Sequence, residues 1–266
     1  MLKHYIQKIL WKLKYDLSKL NYNNVELSEF FNLLRPIKLK GYELKRFGNQ
    51  SGDGGYILPN DFQNIECLFS LGVGKQYSFE EDMKSRNIKC FLADYSVENS
   101  NFENLGLNFH KKFIKAYNSK NSLRFEDWKD QCLNSDEQGE FIIQVDIEGD
   151  EYQVLLSINN DTFDRTKYLI IEYHFLTKIF DLKIGNLIMS TLKRVSEKFY
   201  PIHLSINNTS SVLNIQNANI PHTLEVSYIN KKYVKDFELL KDSNHHLNRP
   251  NISNSDPIEV PRDFFS

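Results

Sequence analysis

Acidic and imidazole side chains stand where apolar runs of this chain stop. The run Phe141-Ile142-Ile143-Gln144-Val145 ends at Asp146, with Glu148 two residues on. Tyr168-Leu169-Ile170-Ile171 leads into Glu172 and His174, which share a face if the run is a strand. A third run carries His203, Ser205 and Asn207 on one face by the same alternation. Carboxylates and imidazoles converging from neighbouring strand ends have two chemical uses. One is general-base removal of a proton from a hydroxyl, with His203 the first choice and Asp146, Glu172 and His174 beside it. The other is a divalent ion, Mg or Mn, held by Asp146, Glu172 and His174, which would lower the pKa of a bound hydroxyl. A structural hydrogen bond would explain any one of these histidines. Asp146 and Glu172 are harder to explain that way, because burying a carboxylate without a partner is unfavourable. His110, His222, His245 and His246 read as structural or exposed.

A second constellation is a glycine turn. Glu66-Cys67-Leu68-Phe69-Ser70-Leu71 stops at Gly72-Val73-Gly74, and a helix start follows at Ser78-Phe79-Glu80-Glu81, patterned as a capping box. Strand, glycine turn and helix are the parts of a nucleotide-binding α/β unit. Glycine matters because side chains would keep a ligand from the backbone amides. About twenty residues beyond the turn, Lys89-Cys90-Phe91-Leu92-Ala93 ends in Asp94, where a carboxylate can grip both hydroxyls of a ribose. Upstream, Ser51-Gly52-Asp53-Gly54-Gly55-Tyr56 makes either a plain hairpin turn or a loop that closes over the ligand.

These residues need a scaffold, and the rest of the chain reads as one. Strands are expected over 67–71, 89–93, 112–116, 141–145, 168–174, 201–206 and 223–229. Helices are expected over 25–34, 78 onward, 125–133, 150–157 and 184–199. Continuous apolar strands separated by helices predict an α/β fold with a mostly parallel sheet covered on both faces. In such a sheet ligands bind outside the carboxyl ends of the strands, which selects the residues above. Residues 2–20 repeat apolar positions at helical spacing with lysines between. They predict a helix docked on the domain or on a second subunit, with a membrane-surface helix as the alternative. The organisation is therefore an N-terminal helical extension (1–40), a main domain (41–235) and an extended C-terminal tail (236–266).

Composition narrows the function classes. The chain has 266 residues, 41% of them hydrophobic, and a formal net charge of -2, so no basic field recruits nucleic acid. Cys67, Cys90 and Cys132 form no metal-type spacing and suggest a reducing, cytoplasmic setting. No apolar run is long enough for a transmembrane helix, and lysines interrupt what would be a signal peptide.

In this order, Ser51-Gly52-Asp53-Gly54-Gly55-Tyr56, Ser70-Leu71-Gly72-Val73-Gly74, Val145-Asp146-Ile147-Glu148-Gly149-Asp150-Glu151, Ile171-Glu172-Tyr173-His174-Phe175 and His203-Leu204-Ser205-Ile206-Asn207-Asn208 resemble the FkbM-type S-adenosylmethionine-dependent methyltransferases. The likeness spans roughly residues 45–230. It implies a class I methyltransferase (Rossmann-like) fold, with seven strands and the last antiparallel. It implies S-adenosylmethionine held around Gly54, Tyr56, Ser70, Gly72, Val73, Gly74, Ser78, Phe79, Asp94 and Asp146. It also implies O-methylation of a sugar or nucleotide-linked sugar in bacterial capsule or lipopolysaccharide synthesis. Lys75 and Gln76 stand where a third glycine is usual. A nicotinamide-dependent oxidoreductase and a degenerate, non-enzymatic scaffold are the rival readings. Lys111, Lys112, Lys115 and Lys120 would supply a diphosphate site or a solvated basic face. A homodimer through the N-terminal helix is expected.

Overall fold

The computed structural model describes residues 25–98, 105–134, 138–242, 246–252 and 258–266, with Ile6, Leu10, Leu20 and Phe102 as isolated further positions. Seven strands form the central sheet: β1 (Ile65–Leu71), β2 (Lys89–Ala93), β3 (Asn108–His110), β4 (Glu140–Val145), β5 (Thr166–Tyr173), β6 (Phe199–Ile206) and β7 (Leu224–Asn230). Across the sheet they lie in the order β6-β7-β5-β4-β1-β2-β3. The pairs from β5 to β3 are all parallel, while β7 runs antiparallel to both β5 and β6. The chain builds β2 and β3 on one side of β1 and then returns to place β4 on the other. The carboxyl ends of β1 and β4 therefore border the crevice where such sheets take ligands.

Alternate residues of each strand feed two cores, which is why the runs read as continuously apolar. Phe69, Leu71, Ile143, Val145, Leu169 and Ile171 join one core. Leu68, Ile142 and Ile170 join the other. Helices α1 (Leu27–Leu34), α3 (Phe125–Cys132), α4 (Glu151–Ser157), α5 (Asn160–Arg165) and α6 (Ile184–Lys198) supply buried side chains to the first. Helix α2 (Ser78–Ser85) covers the second with Phe79 and Met83. It is joined there by an antiparallel hairpin of Leu44–Gly48 with Gly55–Pro59.

Three local expectations are corrected. The third sheet strand is Asn108–His110, not residues 112–116; Phe113–Lys115 instead pairs with Ser122–Arg124 in a separate two-stranded ladder. Residues 108–110 offer only half-buried or exposed side chains, as suits a sheet edge, so they carry little apolar signal. The Ser78 side chain does not cap α2, for Tyr77 holds the cap position and Ser78 Oγ donates to the Gly54 carbonyl at 3.1 Å. The described residues beyond 236 are not simply an extended arm. Phe237–Leu239 pairs antiparallel with Ile37–Leu39, and Val260, Phe264 and Phe265 are buried. The N-terminal helix over 2–20 falls outside the described residues apart from Ile6 and Leu10, both helical, and Leu20, which bridges to Asp181. Among the described residues no helix is long and apolar enough to cross a membrane.

Candidate functional site

The 72–74 turn ends β1 in a conformation that only small residues accept. Gly72 has φ +81°, and a Cβ there would lie 1.7 Å from the Asp146 carbonyl oxygen, so β1 and β4 meet backbone to backbone. Gly74 has φ +55° and open space where its Cβ would be. Its N–H donates to Asp94 Oδ2 at 3.0 Å, while Asp94 Oδ1 accepts from the Ser96 N–H and Oγ at 2.7 Å. Asp94 thus locks two strand-end loops together and keeps its carboxylate at the carboxyl end of β2.

Gly72, Gly74 and Asp146 separate a cleft into two halves of different chemistry. The polar half is lined by Asp53, Gly54, Tyr56, Gln76, Glu80 and Gln144. The other, enclosing about 350 Å3, is lined by Ala93, Asp94, Phe113, Ile114, Lys115 and Ile147. In the polar half, Ser70 Oγ contacts Glu80 Oε1 at 2.6 Å and Gln144 Oε1 at 3.0 Å, and Gln144 Nε2 donates to the Tyr56 hydroxyl at 3.1 Å. Glu80 is buried, and its Oε2 has no hydrogen-bond partner. Burial pushes its carboxyl up to about 7, against the Ser70 hydrogen bond that lowers it. The hairpin turn over 49–54 hangs over this half. It is held by Ser78 and by Arg46, whose Nε and Nη2 donate to the Asn49 and Gly52 carbonyls at 2.7 and 2.6 Å.

The strand ends beyond Asp146 gather carboxylates around one imidazole. Glu151 is fully buried at the start of α4, and its Oε1 accepts from the Ile147 and Gly149 N–H groups at 3.2 and 3.0 Å. The same oxygen lies 2.9 Å from His174 Nδ1. The far nitrogen, Nε2, faces Glu148 Oε2 at 3.5 Å, Glu172 Oε2 at 3.8 Å and Asp146 Oδ1 at 3.9 Å. Burial alone would lower the His174 pKa, but the Glu151 hydrogen bond and the other carboxylates outweigh it and raise it. Burial, and then Glu172 beside it, push Asp146 well above the usual carboxylate range. Glu148 and Phe175, flanking this cluster, both adopt left-handed backbone, at φ 56° and 61°.

The structure therefore brings Asp146, Glu172 and His174 together, and adds Glu148 to them. Asn207 reaches the same place, its Nδ2 donating to Glu172 Oε1 at 2.9 Å. His203 is not brought there. It sits on β6, separated from β5 by β7, about 10 Å away at ordinary strand spacing. Its Nε2 lies 2.6 Å from Asn248 Oδ1. Of the two readings of the lysines over 111–120, the contacts suit a basic face tied to its neighbours rather than a diphosphate site. Lys111 pairs with Glu98, Lys112 Nζ donates to the Lys120 carbonyl at 2.7 Å, and Lys115 pairs with Asp150 at 2.7 Å. Gly54, Tyr56, Gly72, Val73, Gly74, Phe79 and Asp146 line the polar half; Ser70 and Ser78 lie behind it as supports.

Sequence reasoning missed Glu80, Gln144 and Glu151. Gln144 had a signal, being the polar residue inside an apolar strand. Glu80 and Glu151 looked like ordinary first-turn acids of helices, where they are favoured on general grounds.

No protein-family profile and no curated protein matches the chain. Among solved structures, the chain is similar to a candidate RNA methyltransferase from Pyrococcus horikoshii, at 12% identity and a TM-score of 0.33 over 62% of this chain and 76% of that one. It is also similar to a chain of the fibrillarin–Nop5p complex, at 11% identity and a TM-score of 0.35 over 74% and 98%. Likeness at that level assigns no function. The strand order, with β7 antiparallel between β5 and β6, is that of the class I, Rossmann-like methyltransferase fold, and the fold class rests on this order.

Proposed function

We propose that the protein is an S-adenosylmethionine-dependent methyltransferase acting on a hydroxyl oxygen. The observation that carries this reading is the cleft divided at Gly72 and Gly74, with a buried, half-satisfied carboxylate on one side and Asp94 on the other. S-adenosylmethionine has matching halves, an amino-acid head with a cationic ammonium and a nucleoside. Glu80 Oε2 suits the ammonium, because a buried carboxylate oxygen without a partner is completed by a cation. Asp94 suits the ribose hydroxyls, and Phe113, Ile114 and Ile147 give the base an apolar slot. The bare 72–74 backbone lets the chain between the halves pass close to β1.

Bound there, the cofactor would supply an electrophilic methyl for the hydroxyl oxygen, with its thioether as leaving group and the hydroxyl proton left for the protein to accept. Of the residues that line both halves of the cleft, Gly72, Gly74 and Asp146, Asp146 alone carries an ionisable side chain, so it is the group we place at the point of transfer. With Glu172 and His174 it orients the hydroxyl, and the proton passes to this cluster of carboxylates and imidazole as a whole. Proximity does much of the rest. The acceptor we propose is a sugar, free or nucleotide-linked, handled in the cytoplasm for surface polysaccharide. The resemblance of the 145–151 segment supports that choice.

Calorimetric titration of the full chain with S-adenosylhomocysteine, in parallel with NAD, tests the reading. One-to-one binding of the first and none of the second is expected. Absence of S-adenosylhomocysteine binding would overturn it, and binding of NAD alone would point to an oxidoreductase.

A further inference from the structure

We propose that Asp146, Glu148 and His174 hold one divalent transition-metal ion, with Glu151 fixing the histidine. The protonation of His174 is decided by its partners. Glu151 Oε1 already accepts two backbone N–H groups, so it acts as an acceptor toward Nδ1, and Nδ1 carries the hydrogen. In the neutral ring Nε2 then has a lone pair, and that lone pair faces carboxylate oxygens of Asp146, Glu148 and Glu172. Lone pair against carboxylate oxygens is repulsive unless a proton or a metal ion lies between them. A proton serves in the ion-free protein, but at separations of 3.5 to 3.9 Å it makes no short hydrogen bond, and a metal ion can take its place.

A metal ion fits the spacing better. Ligand bonds of about 2.1 Å place neighbouring ligand atoms roughly 3.0 to 3.4 Å apart. One ligand atom each from Asp146, Glu148 and His174 lie within 4.8 Å of one another, so side-chain adjustments that bring the farthest pair roughly 1.5 Å closer close the set. Charge argues the same way. Among the described residues, Asp146, Glu148, Glu151 and Glu172 have no lysine or arginine partner, and His174 serves all four. His174 is itself nine-tenths buried, at 9% exposure, so the histidine is a built part of the site and not a surface accident. A carboxylate behind a ligating histidine is the usual way its ring is oriented. Mixed imidazole and carboxylate donors favour Mn(II) or Zn(II) over calcium. The ion would adjoin the cleft through Asp146. Its part in methyl transfer rests on the function proposed above, whereas its binding does not.

The test uses the full chain without cofactor, titrated with Mn(II), with free ion followed by electron paramagnetic resonance. One ion per chain with micromolar affinity is expected. Glu148→Gln should weaken binding at least thirtyfold. That side chain is 86% exposed, so the fold is not at stake. His174→Ala should abolish binding, and Glu151→Gln should weaken it about tenfold through loss of the orienting charge. No binding up to millimolar Mn(II), or binding unchanged by Glu148→Gln and His174→Ala, would overturn the proposal. Because S-adenosylhomocysteine is absent, failure here leaves the cofactor reading standing.

Discussion

Two glycines two residues apart make opposite demands. Gly72 has no room for a methyl group, since a Cβ would overlap the Asp146 carbonyl; Gly74 has room, but the room is the cleft. Gly72→Ala should therefore fail to give a cooperative fold. Gly74→Ala should lose only about 1–2 kcal/mol, the left-handed penalty of an L-residue. It should nonetheless weaken S-adenosylhomocysteine binding at least a hundredfold, because its methyl enters the space between the two halves. Paired thermal melts and calorimetry separate the cases, and a Gly74→Ala protein that binds normally would move the cofactor elsewhere. At this scale the sequence was legible wherever a residue broke a strong pattern, as the glycines after β1 and the acids at the carboxyl ends of β2, β4 and β5 did. It was illegible where a functional residue kept the pattern. Glu80 and Glu151 sit in first helical turns, and only the folded chain shows that both are buried. His203 misled for the converse reason: alternation gave its face, but not its distance from β5 across the intervening β7.

Elements were legible in proportion to their burial. The buried strands β1, β4 and β5 announced themselves as apolar runs, whereas the edge strand β3 and its neighbouring ladder did not. The C-terminal segment was misread because docking depends on partners distant in sequence. Its anchor is Phe264, whose ring meets Phe31 at 4.9 Å and Phe30 at 6.1 Å, edge to face, both on α1. Arg35 Nη2 adds a hydrogen bond to the Phe265 carbonyl at 2.9 Å. Helix α1 in turn packs on α6, so the segment completes the first core instead of trailing from it. Phe264→Ala should lower stability by about 3–5 kcal/mol, the range for emptying a buried aromatic site. The folded fraction should bind S-adenosylhomocysteine as before, since the cleft lies at the carboxyl ends of the strands. A urea midpoint unchanged by Phe264→Ala would mean that the segment contributes nothing to the core.

Across the whole molecule, acids accumulate at one edge of the sheet, and the stability of the protein should record it. Glu80 is the cleanest reporter, being buried and clear of the imidazole cluster. Its carboxyl rises from 4.5 unfolded to about 7 folded, so the folded state binds the proton more tightly. The resulting stabilisation is fully present below pH 4.5 and is lost as pH rises through 7, amounting to about 3 kcal/mol at 1.36 kcal/mol per unit. A glutamine cannot ionise and loses nothing over that span. The melting temperature of Glu80→Gln minus that of the natural protein should therefore increase from pH 5 to about pH 7.5 and then level off, by roughly 5–10 °C in all. A difference independent of pH would mean that Glu80 is not buried in a charge-averse site. The ligand should show the mirror image. If the ammonium of the cofactor requires ionised Glu80, affinity for S-adenosylhomocysteine should rise up to about tenfold per pH unit below 7 and flatten above it. Glu80→Gln should remove that slope along with most of the affinity. The same burial that weakens the ligand-free protein at neutral pH would then be what makes its polar half ready for a cation, and the two pH profiles must level off at the same pH, near 7.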